Sequence, residues 1–251
     1  MSLRTFGPLR RFLATLGFLS RLTRGRLMHE ADMRRSMFHL PLCGLVIGAV
    51  ACAPVLAGLL NGRFLAQGFV CVALSVWLTR GLHLDGLSDV LDGSAAHVNP
   101  ERFWAIVKDS RCGAFGVAGV ALLLIGQTTF FAEVLRDGPA WALVWVFVFG
   151  RACGVLFGWL TRSLVRPGLG GLFLAGADAK ALLWALALAL GPALWLWPWA
   201  ASCAALCALV LLTPLYRLAR AVAGVNGDFL GAAILLGECS AAVGLVLAKG
   251  L

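Results

Sequence analysis

Seven stretches of this chain are apolar over about the length a bilayer demands, and that feature decides the solvent in which it folds. A spanning helix takes about 20 mostly apolar residues. Residues 38–60, 64–79, 113–135, 140–160, 181–199, 200–216 and 229–248 meet or approach that requirement. Of 251 residues 61% are hydrophobic and 13% charged, against roughly 25% charged in an ordinary soluble domain. Surface-to-volume scaling gives a soluble core of this size no interior for so much apolar side chain. The expected fold is therefore all-α: a polytopic transmembrane helical bundle of about seven spans, forming a single integral membrane domain over residues 1–251. Runs 64–79 and 200–216 are short, and only Pro198 and Trp199 separate the fifth run from the sixth, so six spans stay open beside seven.

Lys and Arg number 21 against 12 Asp and Glu. The basic residues are neither interleaved with aromatics nor gathered in a soluble module, so they read as topology and no nucleic acid is expected. With seven helices, seventeen fall on one side. These are the eight arginines of segment 1–37, Arg80, Arg102, Lys108 and Arg111, then Arg162, Arg166 and Lys180, and finally Arg217 and Arg220. Arg63, Arg136 and Lys249 fall on the other, and Arg151 is left inside a run. The positive-inside rule then puts the N-terminus and every long loop in the cytoplasm.

Segment 1–37 is expected to be cytoplasmic or interfacial. Arg10 and Arg11 before an apolar stretch suggest a twin-arginine export signal, but Arg21 and Arg24 interrupt the stretch and no small-residue cleavage site follows. Phe12, Leu16, Leu19 and Thr23 fall on one helical stripe beside arginines, which predicts an anchoring helix lying in the membrane interface. The eight cysteines include no C-x-x-C pair and sit mostly in apolar runs, as small hydrophobes.

The chemistry gathers where the second run ends, in loop 80–112, the expected cytoplasmic active-site loop. In Arg80-Gly-Leu-His-Leu-Asp-Gly-Leu-Ser-Asp-Val-Leu-Asp-Gly93, the carboxylates of Asp85, Asp89 and Asp92 stand at i, i+4 and i+7, on one helical face. Such a row repels itself unless a cation sits among the acids, and oxygen donors select Mg²⁺ or Mn²⁺. Gly86 and Gly93 leave room beside the acids for a backbone or a bulky ligand. The plainer reading is a solvated acidic face, which the interleaved leucines disfavour. His83 is a candidate to line the site; His29, His39 and His97 are scattered.

A second cluster, Lys108-Asp-Ser-Arg-Cys-Gly-Ala-Phe-Gly116, opens the third run. Arg111 suits a bidentate grip on phosphate, Lys108 a point charge, and Asp109 adds a carboxylate at the same membrane level. For the two cations the plain alternative is positive-inside flanking. Asn99 before Pro100 reads as the cap of a short helix leading there. At the mouth of the last run, Asn226, Gly227 and Asp228 offer N–H groups to an anion together with a carboxylate, or simply a turn that caps the helix. Deeper in that run lies Glu238, a buried charge that needs a partner, with Arg151 the other intramembrane charge; Glu133 sits near an outer helix end, where it snorkels. No H-E-x-x-H, G-x-S-x-G or P-loop is present.

The stretch Leu82–Gly93 followed by Lys108–Gly116 resembles the signature of the cobalamin synthase, or adenosylcobinamide-GDP ribazoletransferase, family. Leu22-Thr-Arg24, Leu40-Pro-Leu-Cys-Gly-Leu-Val-Ile-Gly48 and Gly227-Asp-Phe-Leu-Gly-Ala232 with Glu238 extend the likeness along nearly the whole chain. It departs at Ser88, where the family usually has Ala, and at Asn226, where it usually has Thr. Ser88 is expected to face away from the acidic stripe, whereas the change at Asn226 weakens a phosphate or metal role there.

The resemblance implies an Mg²⁺-dependent phosphotransferase of the bacterial inner membrane with its active site facing the cytoplasm. The 5′-hydroxyl of α-ribazole, or of its 5′-phosphate, is expected to attack the cobinamide-linked phosphorus of adenosylcobinamide-GDP; GMP leaves, and adenosylcobalamin or its 5′-phosphate forms. This is the last assembly of the nucleotide loop in cobalamin biosynthesis. Metal displacement chemistry of this kind needs charge neutralisation and positioning above all. Asp85, Asp89 and Asp92 are then the metal ligands and Asp109 a further ligand or hydroxyl-orienting base. Lys108, Arg111, His83, Asn226 and Asp228 bind substrate. The partners are the two substrates and membrane lipid, with homo-oligomerisation left open.

Two other readings compete. A CDP-alcohol phosphotransferase-like lipid enzyme shares the chemistry, but Ala96 is followed by His97 where its D-x-x-D-G-x-x-A-R motif has Arg, and its later acids are missing. An ion-coupled transporter would use Asp85, Asp89, Glu238 and Arg151, yet most of the acids lie at the membrane surface and not at the midplane.

Overall fold

The computed structural model describes residues 6–95 and 99–248. Arg4, His97 and Lys249, which entered the reading above, lie outside them, as does Ala96. Among the described residues the chain is a bundle of α-helices with no sheet, only an isolated bridge between Val165 and Val225.

Among the described residues six helical segments are long and apolar enough to cross a membrane alone. The first runs from α2 (Glu30–Arg35) through a 3-10 turn into α3 (Leu40–Leu56). The others are α7 (Ala114–Asp137), α8 (Ala142–Leu160), α10 (Ala179–Leu196), α11 (Pro198–Ala221) and α12 (Gly227–Leu247). Run 200–216 therefore begins earlier and ends later than its hydropathy suggests. Pro198 is pre-organised for a first helical turn, and the cationic Arg220 rides on the last turn, as cations at a helix C-terminus do.

The remaining run is α4 (Phe64–Thr79), whose 16 residues rise only about 24 Å against a hydrocarbon core of about 30 Å. It ends in a corner. Arg80 and Gly81 both take left-handed backbone, φ 58° and 68°, and turn the chain by 89° into α5 (Leu82–Ser94). The 13-residue acid-bearing helix thus runs nearly at right angles to α4 and is by itself too short to cross a membrane. Arg80 secures the corner by donating to the carbonyls of Gly17, Phe18 and Ser20 at the end of α1 (Pro8–Leu19).

α1 packs against the start of α3. Its apolar stripe faces the protein: Leu16 and Leu19 are each 4% exposed. The helix stops at Leu19, and Thr23, beyond it, folds back so that its hydroxyl donates to the Leu13 carbonyl at 2.7 Å.

α12 runs through the middle, against α5, α7, α8 and α11. Small residues let the helices close up, as membrane packing favours. A Cβ on Gly150 of α8 would stand 2.8 Å from the Ile234 carbonyl oxygen, and one on Gly244 would stand 2.5 Å from the Ala204 nitrogen. Within this core Arg151 and Glu238 form an ion pair, 1% and 3% exposed, and Gln127 donates to the second Glu238 oxygen at 3.0 Å. That pairing answers the need of both intramembrane charges. Glu133, near the C-terminal end of α7, pairs with Arg136 one turn on.

Candidate active site

The first turn of α12 is the partner of α5. Gly86 makes the meeting close: a Cβ there would stand 2.7 Å from the Asp228 Cα and 2.9 Å from its carbonyl oxygen. The room left beside the acids is thus filled by backbone. Gly93 is filled likewise, by the Phe103 ring and Val107 of α6 (Pro100–Val107). Asn226 sets the register of α12, its Oδ1 accepting from the Asp228 and Phe229 N–H groups at 3.2 and 3.4 Å. The Asn226 Nδ2 also donates to Asp228 Oδ2 at 2.6 Å. The turn-and-cap reading of this motif is therefore the local geometry, and it aims the Asp228 carboxylate toward α5.

Asp85, Asp89 and Asp228 consequently share one electrostatic site. Burial, then the neighbouring Asp228, Asp85 and Asp92 carboxylates, push Asp89 up to about 6. Asp228 itself is half-buried there. Among the described residues none of these three carboxylates has an ion-pair partner.

Asp92 is differently occupied. It is 8% exposed, and its two oxygens accept from the Gly113 and Gly116 N–H groups at 2.7 and 2.8 Å. Gly113 opens α7 with no capping side chain of its own, so Asp92 caps that helix from another. A Cβ on Gly113 would stand 2.5 Å from Asp92 Oδ1, and one on Gly116 would strike both Asp92 and Ser88. These two glycines admit the carboxylate to the helix end. Ser88 is corrected by the same geometry. It lies between Asp85 and Asp92 on the side facing α7, 3.1 Å from the Cys112 sulfur, because i+3 and i+4 neighbours share a helical face.

The second cluster is a short exposed loop. Arg111 grips Asp109 through two nitrogens, with Nη2 at 2.6 Å and Nε at 3.0 Å, and that bonding holds the Asp109 carboxyl down at about 2. The Arg111 side chain remains 87% exposed, and Lys108 closes α6 in solvent with no ion pair among the described residues. Asn99 caps α6 as expected, accepting from the Arg102 N–H at 2.8 Å. His83 is not gathered with the acids. Two residues from Asp85, it points into the bundle, 5% exposed, beside a small cavity that also meets Thr79, Gln127, Arg151 and Glu238. The acids that a transporter would need together are likewise separated in role, since Glu238 is committed to Arg151 and Gln127.

Between α5 and α7 a cleft of about 830 Å³ opens beside this acidic face. Asp85, Ser88, Cys112 and Gly116 lie along it, and Val117, Val120 and Leu124 give it an apolar wall. The arrangement offers hard oxygen donors at one edge, apolar surface along a wall and exposed cations on the loop above.

Among the described residues no three His, Cys, Asp or Glu groups enclose a cation by themselves. The donor chemistry still fits Mg²⁺, which prefers oxygen, keeps several waters and is commonly held by one or two carboxylates together with substrate phosphates. Sequence periodicity presented Asp85, Asp89 and Asp92 as equivalent and missed the cap that sets Asp92 apart. Its available signal was the uncapped Gly113 with Gly116 three residues on.

The sequence matches the cobalamin-5-phosphate synthase family over residues 11–246. It is 43% identical to an adenosylcobinamide-GDP ribazoletransferase of Nitratidesulfovibrio vulgaris strain Miyazaki F, across 95% of this chain and 96% of that protein. It is 37% identical to the enzyme of that name from Klebsiella pneumoniae strain 342, across 90% and 95%. To that of Geotalea daltonii it is 34% identical, across 88% and 90%. No solved structure matches the chain. With the acidic helix, the phosphate-suited loop and the capped last helix all inside the matched region, the chain belongs to the cobalamin-5-phosphate synthase family.

Proposed function

We propose that this chain is an Mg²⁺-dependent adenosylcobinamide-GDP ribazoletransferase of the cytoplasmic membrane, working on the cytoplasmic side. The observation that carries the reading is the convergence of Asp85, Asp89 and Asp228 where α5 meets the first turn of α12, without a cationic partner among the described residues, with Asp85 also lining the α5–α7 cleft. Side and membrane rest on the positive-inside asymmetry of the basic residues. Carboxylates from the Asp85, Asp89 and Asp228 group, completed by the substrate diphosphate and water, would hold the metal, which when bound would neutralise the diphosphate and stabilise the leaving phosphate. Asp92 takes a positioning role in place of direct ligation, because it fixes the start of α7 against α5.

The protein's own groups have distinct tasks. Lys108 and Arg111 draw in the diphosphate, Arg111 exchanging its grip on Asp109 for a phosphate oxygen. Asp109, released by that exchange, is left to orient the attacking hydroxyl. The expectation of a 5′-hydroxyl nucleophile has to be corrected: when α-ribazole 5′-phosphate is the acceptor and its phosphate persists in the product, the 5′ position is blocked and a ring hydroxyl of the ribose attacks. The cobinamide-linked phosphorus gains that oxygen and loses GMP.

The test is GMP release by detergent-purified protein given adenosylcobinamide-GDP and α-ribazole 5′-phosphate, beside an EDTA control and the Asp85→Asn and Asp228→Asn variants. Release that needs both substrates and metal, and that collapses in each variant, supports the assignment. No release from well-folded protein refutes it. Full activity in Asp228→Asn would return the third ligand position to Asp92.

A further inference from the structure

A second cavity, of about 430 Å³, opens on the α5 side of the bundle between α2, the turn that follows it and the start of α10. It shares no residue with the α5–α7 cleft. Arg34 and Arg35 close α2 and Lys180 opens α10; among the described residues none of the three is ion-paired. Arg11 also lines the cavity but is held by Asp32 at 3.0 Å. The carboxylate on the cavity wall, Asp178, is engaged as the N-cap of α10, accepting from the Ala181 N–H at 2.8 Å. Positive charge is therefore left over.

The cavity also has an apolar edge at the level where a spanning helix begins. Phe38 lines it and stacks on Trp184, one turn into α10, with ring centroids 5.3 Å apart and planes 4° from parallel. Next to Trp184, Leu183 is 68% exposed. Cations above an aromatic pair, beside apolar surface bare of protein, match the profile of a phospholipid from headgroup to acyl chain.

We propose that this cavity binds the phosphate of an anionic phospholipid, with Arg34, Arg35 and Lys180 around the headgroup and Phe38 and Trp184 along its glycerol and upper acyl region. α9 (Leu169–Leu174) gives such a lipid a route to the acidic face. A Cβ on Gly176, just past α9, would strike the Arg34 carbonyl, and one on Gly170 within α9 would strike the Gly227 backbone next to Asp228. A lipid held at Arg34 thus braces the segment on which Asp228 stands.

Native mass spectrometry of the detergent-purified chain, titrated with phosphatidylglycerol or with phosphatidylcholine of the same acyl chains, tests the site. Its readout is bound lipid and needs no turnover. Preferential retention of phosphatidylglycerol is expected. The Arg34→Gln/Arg35→Gln/Lys180→Gln variant should lose about a hundredfold in apparent affinity, about fivefold per cation. The single exposed Lys180→Glu should weaken binding in the same direction. Arg217→Gln/Arg220→Gln, which removes two exposed cations outside the cavity lining, should retain it. Equal retention of the two lipids, equal loss in both multiple variants, or undiminished binding in Lys180→Glu overturns the proposal. Release of phosphatidylglycerol by inorganic phosphate would overturn it too, in favour of a soluble phosphate ligand.

Discussion

Replacing Asp89 by Asn should stabilise the metal-free protein while weakening its response to Mg²⁺. Asp89 stands among Asp228, Asp85 and Asp92, and its carboxyl is pushed from the ordinary 3.8 to about 6. A carboxyl raised by folding penalises the folded state once it ionises. The penalty is absent below pH of about 4, grows between about 4 and 6, and is complete above. The rise from 3.8 to about 6 corresponds to about 3 kcal/mol at neutral pH, which solvent reaching this half-buried carboxyl screens to about 1–2 kcal/mol. Asn keeps the shape and removes the charge. In EDTA near neutral pH the variant should therefore melt about 3–6 °C above the parent, and by pH of about 4 the two should converge. Intrinsic fluorescence from the nine tryptophans reports the transition. Added Mg²⁺ should then raise the parent more than the variant, and GMP release should fall in the variant. A variant that melts no higher than the parent in EDTA, or gains as much from Mg²⁺, would refute the idea that unbalanced negative charge is stored at this site.

Asp92→Asn should cost about 1–2 kcal/mol, because an amide satisfies only one of the two N–H groups that the carboxylate accepts, yet leave the Mg²⁺-induced rise in melting temperature in place. Asp85→Asn should lose that rise. Gly86→Ala places a methyl 2.7 Å from the Asp228 Cα, a backbone atom that cannot rotate away. Stability should drop by about 1–3 kcal/mol, whereas kcat, read from GMP release, should fall about a hundredfold as Asp228 is displaced from α5. Arg151→Met alone should reduce stability by about 3–5 kcal/mol by stranding Glu238, and Arg151→Met with Glu238→Leu should recover most of it. The melting temperature and the monodisperse yield on gel filtration distinguish these outcomes.

The spans were legible because a bilayer imposes a length that apolar runs must meet, and α4 was legible to the residue because Arg80 and Gly81 break it sharply. Asn99 and Asn226 were legible as caps for a similarly local reason: each bonds a backbone N–H within three residues. The site was legible in its composition but not in its division of labour. Asp85, Asp89 and Asp92 are alike in type and spacing, and what separates them is the helix end that each one faces. Asp92 meets the start of α7, while Asp85 and Asp89 meet the start of α12. Those meetings join residues more than twenty positions apart in the first case and more than a hundred in the second, beyond the reach of any helical periodicity. The glycines did carry part of the missing information. Gly86, Gly113 and Gly116 each mark a place where another chain segment approaches too closely for a side chain, but a glycine records only that room is needed and not what fills it. A carboxylate row beside such glycines should accordingly be divided by asking which acid can reach an uncapped helix start. An acid that does so already has its counter-charge, in the N–H groups and dipole of that helix, and those left over are the ones that need a cation.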